Sequence, residues 1–158
     1  MSDDSLLKHL MELLDGGHAH ATFDAVIKGI PAQKRGVRPR GCPHSPWELL
    51  EHIRLAQDDI LRFSRDPGYV APKWPEGYWP PSKAPKSEGE WRKSVKAVRE
   101  NLAEFKQLLE KNREELDKPF PWGQGQTLLR EALLIADHNT YHLGQLLLVR
   151  RLLGIWES

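Results

Sequence analysis

The sequence predicts an all-α fold, and three observations carry that prediction. Four stretches of the 158-residue chain place apolar residues at three- and four-residue steps, the repeat that lines one face of a helix. No stretch shows the strict alternation of a half-buried strand. Two of the helical stretches open on Ser-x-x-Glu boxes, Ser45 to Glu48 and Ser87 to Glu90, in which side chain and backbone cap each other. The hydrophobic share of 39% is enough for a core, and the length suits one domain spanning residues 1–158.

The first helix is expected from Ser5 to Gly29, with Leu6, Leu10, Leu13, Ala21 and Ile27 on a broad inward face. The Gly16-Gly17 pair is its weak point; it bends the helix or lets another backbone approach closely. The second helix starts at Ser45 as N-cap, with Pro46 at the first helical position, and runs to about Arg65, before Pro67-Gly68. Leu49, Ile53, Ala56, Ile60 and Phe63 form its apolar face, and His52 falls on the edge of that face. Asp66 to Lys86 is a long proline-rich segment holding Trp74, Tyr78 and Trp79. Rings favour burial, so this segment is expected to wrap the helices or to form a pocket rim.

The third helix follows Ser87 and carries Trp91, Val95, Val98, Leu102, Phe105 and Leu109 in steps of four and three, the seam of a bundle, ending near Leu116. Lys118 to Gln126 is rich in turn residues. The fourth helix, about Thr127 to Leu153, stops at Gly154 and is apolar around most of its circumference, so it is expected to be the most buried.

The formal charge of +1 gives no sign of nucleic-acid or membrane binding, and no apolar run is long enough to span a bilayer. Met1 to Ser5 lacks the basic-then-apolar layout of a signal peptide. Cys42 is the single cysteine, which excludes an intrachain disulfide and a cysteine-based zinc site. A cytoplasmic protein is the expectation.

The chemistry points to histidine. His138 and His142, in Asp137-His138-Asn139-Thr140-Tyr141-His142, stand four apart on the fourth helix, one turn above the other. His52 lies on a neighbouring inward face. Three neutral nitrogen ligands and one open position make a catalytic rather than a closed metal site. The competing reading is three packed histidines held by hydrogen bonds. The paired Glu-x-x-His of di-iron bundles and the His-Glu-x-x-His of zincins are both absent. Imidazole suits zinc, nickel, copper and iron, so the ligands alone do not fix the metal.

His20 and Asp24 repeat the four-residue spacing on the first helix, sharing an inward sector with Leu13 and Ile27. Asp24 is a candidate to orient a ligand, to accept a proton, or to pair with His20; a local structural pair near the surface fits the same spacing. Cys42 lacks a nucleophile motif and reads as incidental. Arg35, Arg38 and Arg40 read as a solvated loop, with an anionic substrate as the alternative, and Arg150 and Arg151 as surface residues that favour a helix C-terminus.

Gly-Gly-His-Ala-His from Gly16, Ser-Pro-Trp-Glu-Leu-Leu-Glu-His-Ile from Ser45 and Asp-His-Asn-Thr-Tyr-His-Leu-Gly-Gln from Asp137 resemble the DinB-like (DinB/YfiT) superfamily. The resemblance covers essentially the whole chain. It implies an up-down-down-up four-helix bundle, with the Pro/Trp-rich segment as the crossover between the second and third helices. It implies that His52, His138 and His142 bind a divalent metal, with zinc expected before nickel. Relatives of this kind include thiol-dependent S-transferases, thiol-dependent isomerases and metal-dependent hydrolases, so a small-molecule substrate and a low-molecular-weight thiol are implied partners. Homodimers are common in the family, and exposed Trp74 and Trp156 are compatible with one. The expected activity is metal-assisted attack of a thiol or water on a small electrophile, with His20 or Asp24 as the proton-handling group. The alternatives are a non-catalytic metal- or small-molecule-binding stress-response protein and a metal-free dimerisation module.

Overall fold

A computed structural model describes residues 3–156. Among the described residues the chain forms five α-helices and three short 3-10 turns, with no strand. The helices are α1 (Asp3–Asp15), α2 (Phe23–Ile27), α3 (Pro46–Arg65), α4 (Glu88–Lys111) and α5 (Leu128–Leu152).

The expected first helix is two helices. Gly16 and Gly17 take φ of 68° and 85°, the left-handed region that ends a helix at low cost only for glycine. The chain then loops to Thr22, whose hydroxyl accepts from the Ala25 N–H and starts α2. His20 therefore lies in a loop and Asp24 on the exposed first turn of α2, so the inward helical sector expected for them is not formed. The other helices start where their caps place them. Ser45 accepts from the Glu48 N–H and the Glu48 carboxylate accepts from the Ser45 N–H at 2.8 Å, a complete capping box for α3. Ser87 and Thr127 cap α4 and α5 in the same way through one hydroxyl each. α4 ends at Lys111 rather than near Leu116, because Asn112 leaves the helical region and a 3-10 turn, Arg113–Glu115, follows. Leu116 is nonetheless buried.

Buried apolar side chains gather in two clusters. The first joins α2, the start of α3 and α4 (Leu49, Ile53, Trp91, Val98) and the end of α5 (Leu146, Val149). The second joins α1, the far half of α3 and α4 (Ile60, Leu61, Phe105, Leu109) and the start of α5 (Ala132, Ile135). Thus α3 and α4 both run from the first cluster to the second, and α5 returns. A polar layer marks the seam. The Gln57 amide, 1% exposed, donates to the Val98 carbonyl at 2.7 Å, and Asn139 donates to the Gln57 carbonyl oxygen at 2.9 Å. Buried amides persist where such partners exist, because an unpaired one costs about 1–3 kcal/mol.

Two arginines differ from expectation. Arg150 is 5% exposed rather than on the surface. It donates to the Val26 and Ile155 carbonyls at 2.6 and 2.9 Å and lies over the Trp156 ring, tying α2 and the chain end to α5. Arg35 is also buried; it pairs with Glu88 and covers Trp91, so it is a packing residue rather than part of a solvated loop. Arg38 pairs with Glu48. No helix among the described residues is long and apolar enough to cross a membrane.

Candidate metal centre

The capping box fixes where α3 begins, and His52 follows two turns later, 3% exposed, against α5. On α5, His138 and His142 face it. The three rings form a near-equilateral triangle, with centroids 4.8, 4.4 and 4.5 Å apart. One nitrogen of each lies within 4.8 Å of one nitrogen of each other ring. The Nε2 atoms of His52 and His138 are 3.1 Å apart. His52, His138 and His142 are thus brought together.

Their tautomers follow from their outer partners. The Nδ1 of His52 lies 2.8 Å from the Tyr78 carbonyl oxygen, which can only accept, so Nδ1 holds the proton and Nε2 is bare. The Nδ1 of His142 lies 2.8 Å from the Gln145 Oε1 and donates to it, which leaves its Nε2 bare as well. Burial, and then the neighbouring imidazoles, push the pKa of His138 and His142 down to about 4. Burial lowers His52 too, against the opposing pull of the Tyr78 carbonyl. All three rings are neutral at pH 7, the state in which imidazole binds metal.

The crossover between α3 and α4 supplies the lid. Trp79 lies flat on His52, with centroids 4.0 Å apart and planes parallel. His44 stacks on the other face of Trp79, also at 4.0 Å. Burial, and then the nearby Asp59 carboxylate, raise the Tyr78 phenol above its ordinary pKa, so it stays neutral. On the α5 side, exposed Tyr141 meets the edge of His142. A cavity of about 200 Å³ lies between Cys42, His44, Gln145 and Leu148; it borders the outer partners His44 and Gln145 and none of the three imidazoles. The roles of Tyr78, Trp79, His44 and Gln145 do not follow from helical spacing. Only the presence of rings in a proline-rich segment hinted at the first two, and nothing singled out His44.

His20 and Asp24 are elsewhere. Exposed His20 donates from Nδ1 to the Ala21 carbonyl at 2.9 Å, and its Nε2 accepts from the Thr140 hydroxyl at 3.2 Å. The Asp24 carboxylate, 67% exposed, pairs with Arg99 at 2.8 Å. Neither shares a hydrogen bond with the three imidazoles. Both line a separate cavity with Asn139, Thr140 and Leu143, and none of the three imidazoles borders it.

The model of the DinB superfamily matches residues 17–146, which include all three histidines. No curated protein matches the chain.

Proposed function

The chain belongs to the DinB superfamily, and on that footing we propose that His52, His138 and His142 hold one divalent metal ion, zinc before nickel, in an enzyme that turns a thiol or water against a small electrophilic substrate. One observation carries the reading. Two hydrogen-bond acceptors, the Tyr78 carbonyl and Gln145 Oε1, take the Nδ1 protons of His52 and His142 and leave bare Nε2 atoms in one cluster. Two nitrogens each about 2.0 Å from a tetrahedral zinc stand about 3.3 Å apart; His52 and His138 already approach to 3.1 Å. Such outer acceptors are the usual companions of metal-binding histidines, because they fix the ring and raise its basicity.

A divalent ion held there supplies Lewis acidity at its open position, where a thiol or water gives up its proton more readily than in bulk. The protein does the rest. Burial keeps the imidazoles neutral, and Trp79 keeps solvent off the outer face of His52. A thiol nucleophile gives S-transfer and water gives hydrolysis. No step is assigned to His20 or Asp24. Passage of α3 and α4 from one core cluster to the other, with α5 returning, supports the up-down-down-up bundle as one domain. Homodimerisation and a cytoplasmic location belong to the same reading.

A second reading, a non-catalytic metal- or small-molecule-binding stress-response protein, is favoured by one feature. Among the described residues no carboxylate joins the three imidazoles, so no acid–base partner is held at the metal position.

Metal analysis of protein purified without a histidine tag tests the centre. Stoichiometric zinc or nickel, and a rise in Tm when either is added, are expected; absence of both overturns it. Screening metal-loaded protein with several low-molecular-weight thiols and an electrophilic acceptor separates enzyme from binder. Activity that His142→Ala leaves unchanged would exclude a metal-centred reaction.

A further inference from the structure

We propose that the outward face of α5 is a two-fold interface, on which a second copy of this chain packs its own α5 antiparallel, centred on Gly144. The proposal rests on the homodimer reading above and supplies what that reading lacks, the face and the register.

The face stands out against the rest of the surface. Among the described residues eight large apolar side chains are strongly exposed, and four of them lie on α5: Leu133, Tyr141, Leu148 and Leu152, at 47%, 63%, 52% and 54%. The other four are scattered over α1 and the loops. Successive steps of eight, seven and four residues put the α5 set on one stripe of the helix. The outward side of α4 is of similar length, and it is Arg, Lys or Glu at most of its exposed positions. Single exposed apolar residues are ordinary on any protein, whereas a contiguous stripe edged by charge marks a surface made for a partner.

Gly144 lies exposed in the middle of this stripe. A Cβ built on it meets nothing within 4 Å, so packing inside the chain does not require a glycine there. Glycine weakens the interior of a helix. Its use becomes clear if a second backbone comes close at that point, where a side chain would hold it off.

Charge selects the occupant and its direction. Asp137 and Arg151, both exposed on the same stripe, stand seven residues before and seven residues after Gly144. Neither has an opposite charge three or four residues along α5 to pair with. A two-fold axis through Gly144 sets each Asp137 against the partner's Arg151, so the stripe is complementary to itself, as a two-fold interface must be. The same axis brings Tyr141 beside the partner's Leu148. Parallel packing would set Asp137 against Asp137 and Arg151 against Arg151, and like charges face to face oppose association. The stripe also adjoins the metal centre, because Tyr141 meets the edge of His142, so a second copy covers that edge.

Sedimentation equilibrium of the full chain at micromolar concentration tests the interface. Wild type is expected at twice the single-chain mass of 18.2 kDa. Leu148→Glu, at an exposed position, should return the single-chain mass while the far-ultraviolet spectrum stays native. Asp137→Arg alone should raise the dimer Kd about tenfold or more, since it sets like charges together at two places, and Arg151→Asp alone should do the same. Combining Asp137→Arg with Arg151→Asp restores the opposition and should bring Kd back to within about threefold of wild type. A monomeric wild type overturns both this proposal and the homodimer reading, and leaves the stripe to a different partner. A dimer that Leu148→Glu and both single reversals leave intact overturns this face alone and keeps the homodimer reading. Single reversals that weaken the dimer without recovery in the double variant overturn the antiparallel register.

Discussion

Two pairs of residues four apart, His138/His142 and His20/Asp24, met opposite fates. The first pair sits on α5, an unbroken helix from Leu128 to Leu152, and both rings reach the same side of it. The second pair straddles the loop between α1 and α2, and its members turn to different partners, Thr140 and Arg99. Spacing implies a shared face only where the backbone between the residues is helical. Two consecutive glycines at positive φ were enough to cancel it.

Removing a ring from the convergent pair should have the largest effect. In His142→Ala, zinc affinity is expected to fall by more than the about 10–100-fold that loss of an outer-shell partner costs, measured by competition with a chromophoric chelator. His20→Ala should leave zinc affinity unchanged; an equal fall in both would erase the contrast between the pairs. Gln145→Leu removes only the acceptor for the His142 Nδ1 proton, and about a tenfold loss is expected in the same assay.

Acid should test the convergent pair as well. His138 and His142 titrate near 4 in the folded chain and near their ordinary 6.5 once unfolded. As the pH falls below about 6.5 the unfolded chain takes up protons first, so this contribution to stability is complete above that value and is lost progressively toward pH 4. The Tm of metal-free protein should therefore drop between pH 7 and pH 5, and the drop should shrink in a His138→Phe variant. An undiminished drop in that variant would place the titrating groups elsewhere.

Smaller effects belong to the broken segment. Gly17→Ala must hold an L side chain at φ 85°, with its Cβ 3.0 Å from the Thr22 Cγ2, and should cost about 1–2 kcal/mol by denaturant unfolding. A stabilised Gly17→Ala would mean that α1 and α2 join into the one helix the periodicity suggests. Least of all, Asp24→Asn removes one exposed ion pair and should change neither Tm nor zinc affinity measurably.

Much of the centre was legible before any fold. Ser45, Pro46 and Glu48 announced the start of α3, and His52 and the α5 pair announced their faces, because caps and helical repeats are local physics. Arg150 and Arg35 were misread as surface residues, since the carbonyls and rings that receive their guanidinium groups come from distant segments. The histidine tautomers were equally out of reach, resting on a carbonyl in the crossover and on an amide one turn along α5.

The sequence by itself determined that the chain is helical, where three of its helices begin, and that His138 and His142 share one helix face. Each of those follows from interactions within a few residues along the chain. Tertiary structure alone decided that the rings meet, that Trp79 stacks on His52 with His44 behind it, and that His20 and Asp24 line another cavity. Those outcomes depend on contacts between segments tens of residues apart, and no local preference encodes them.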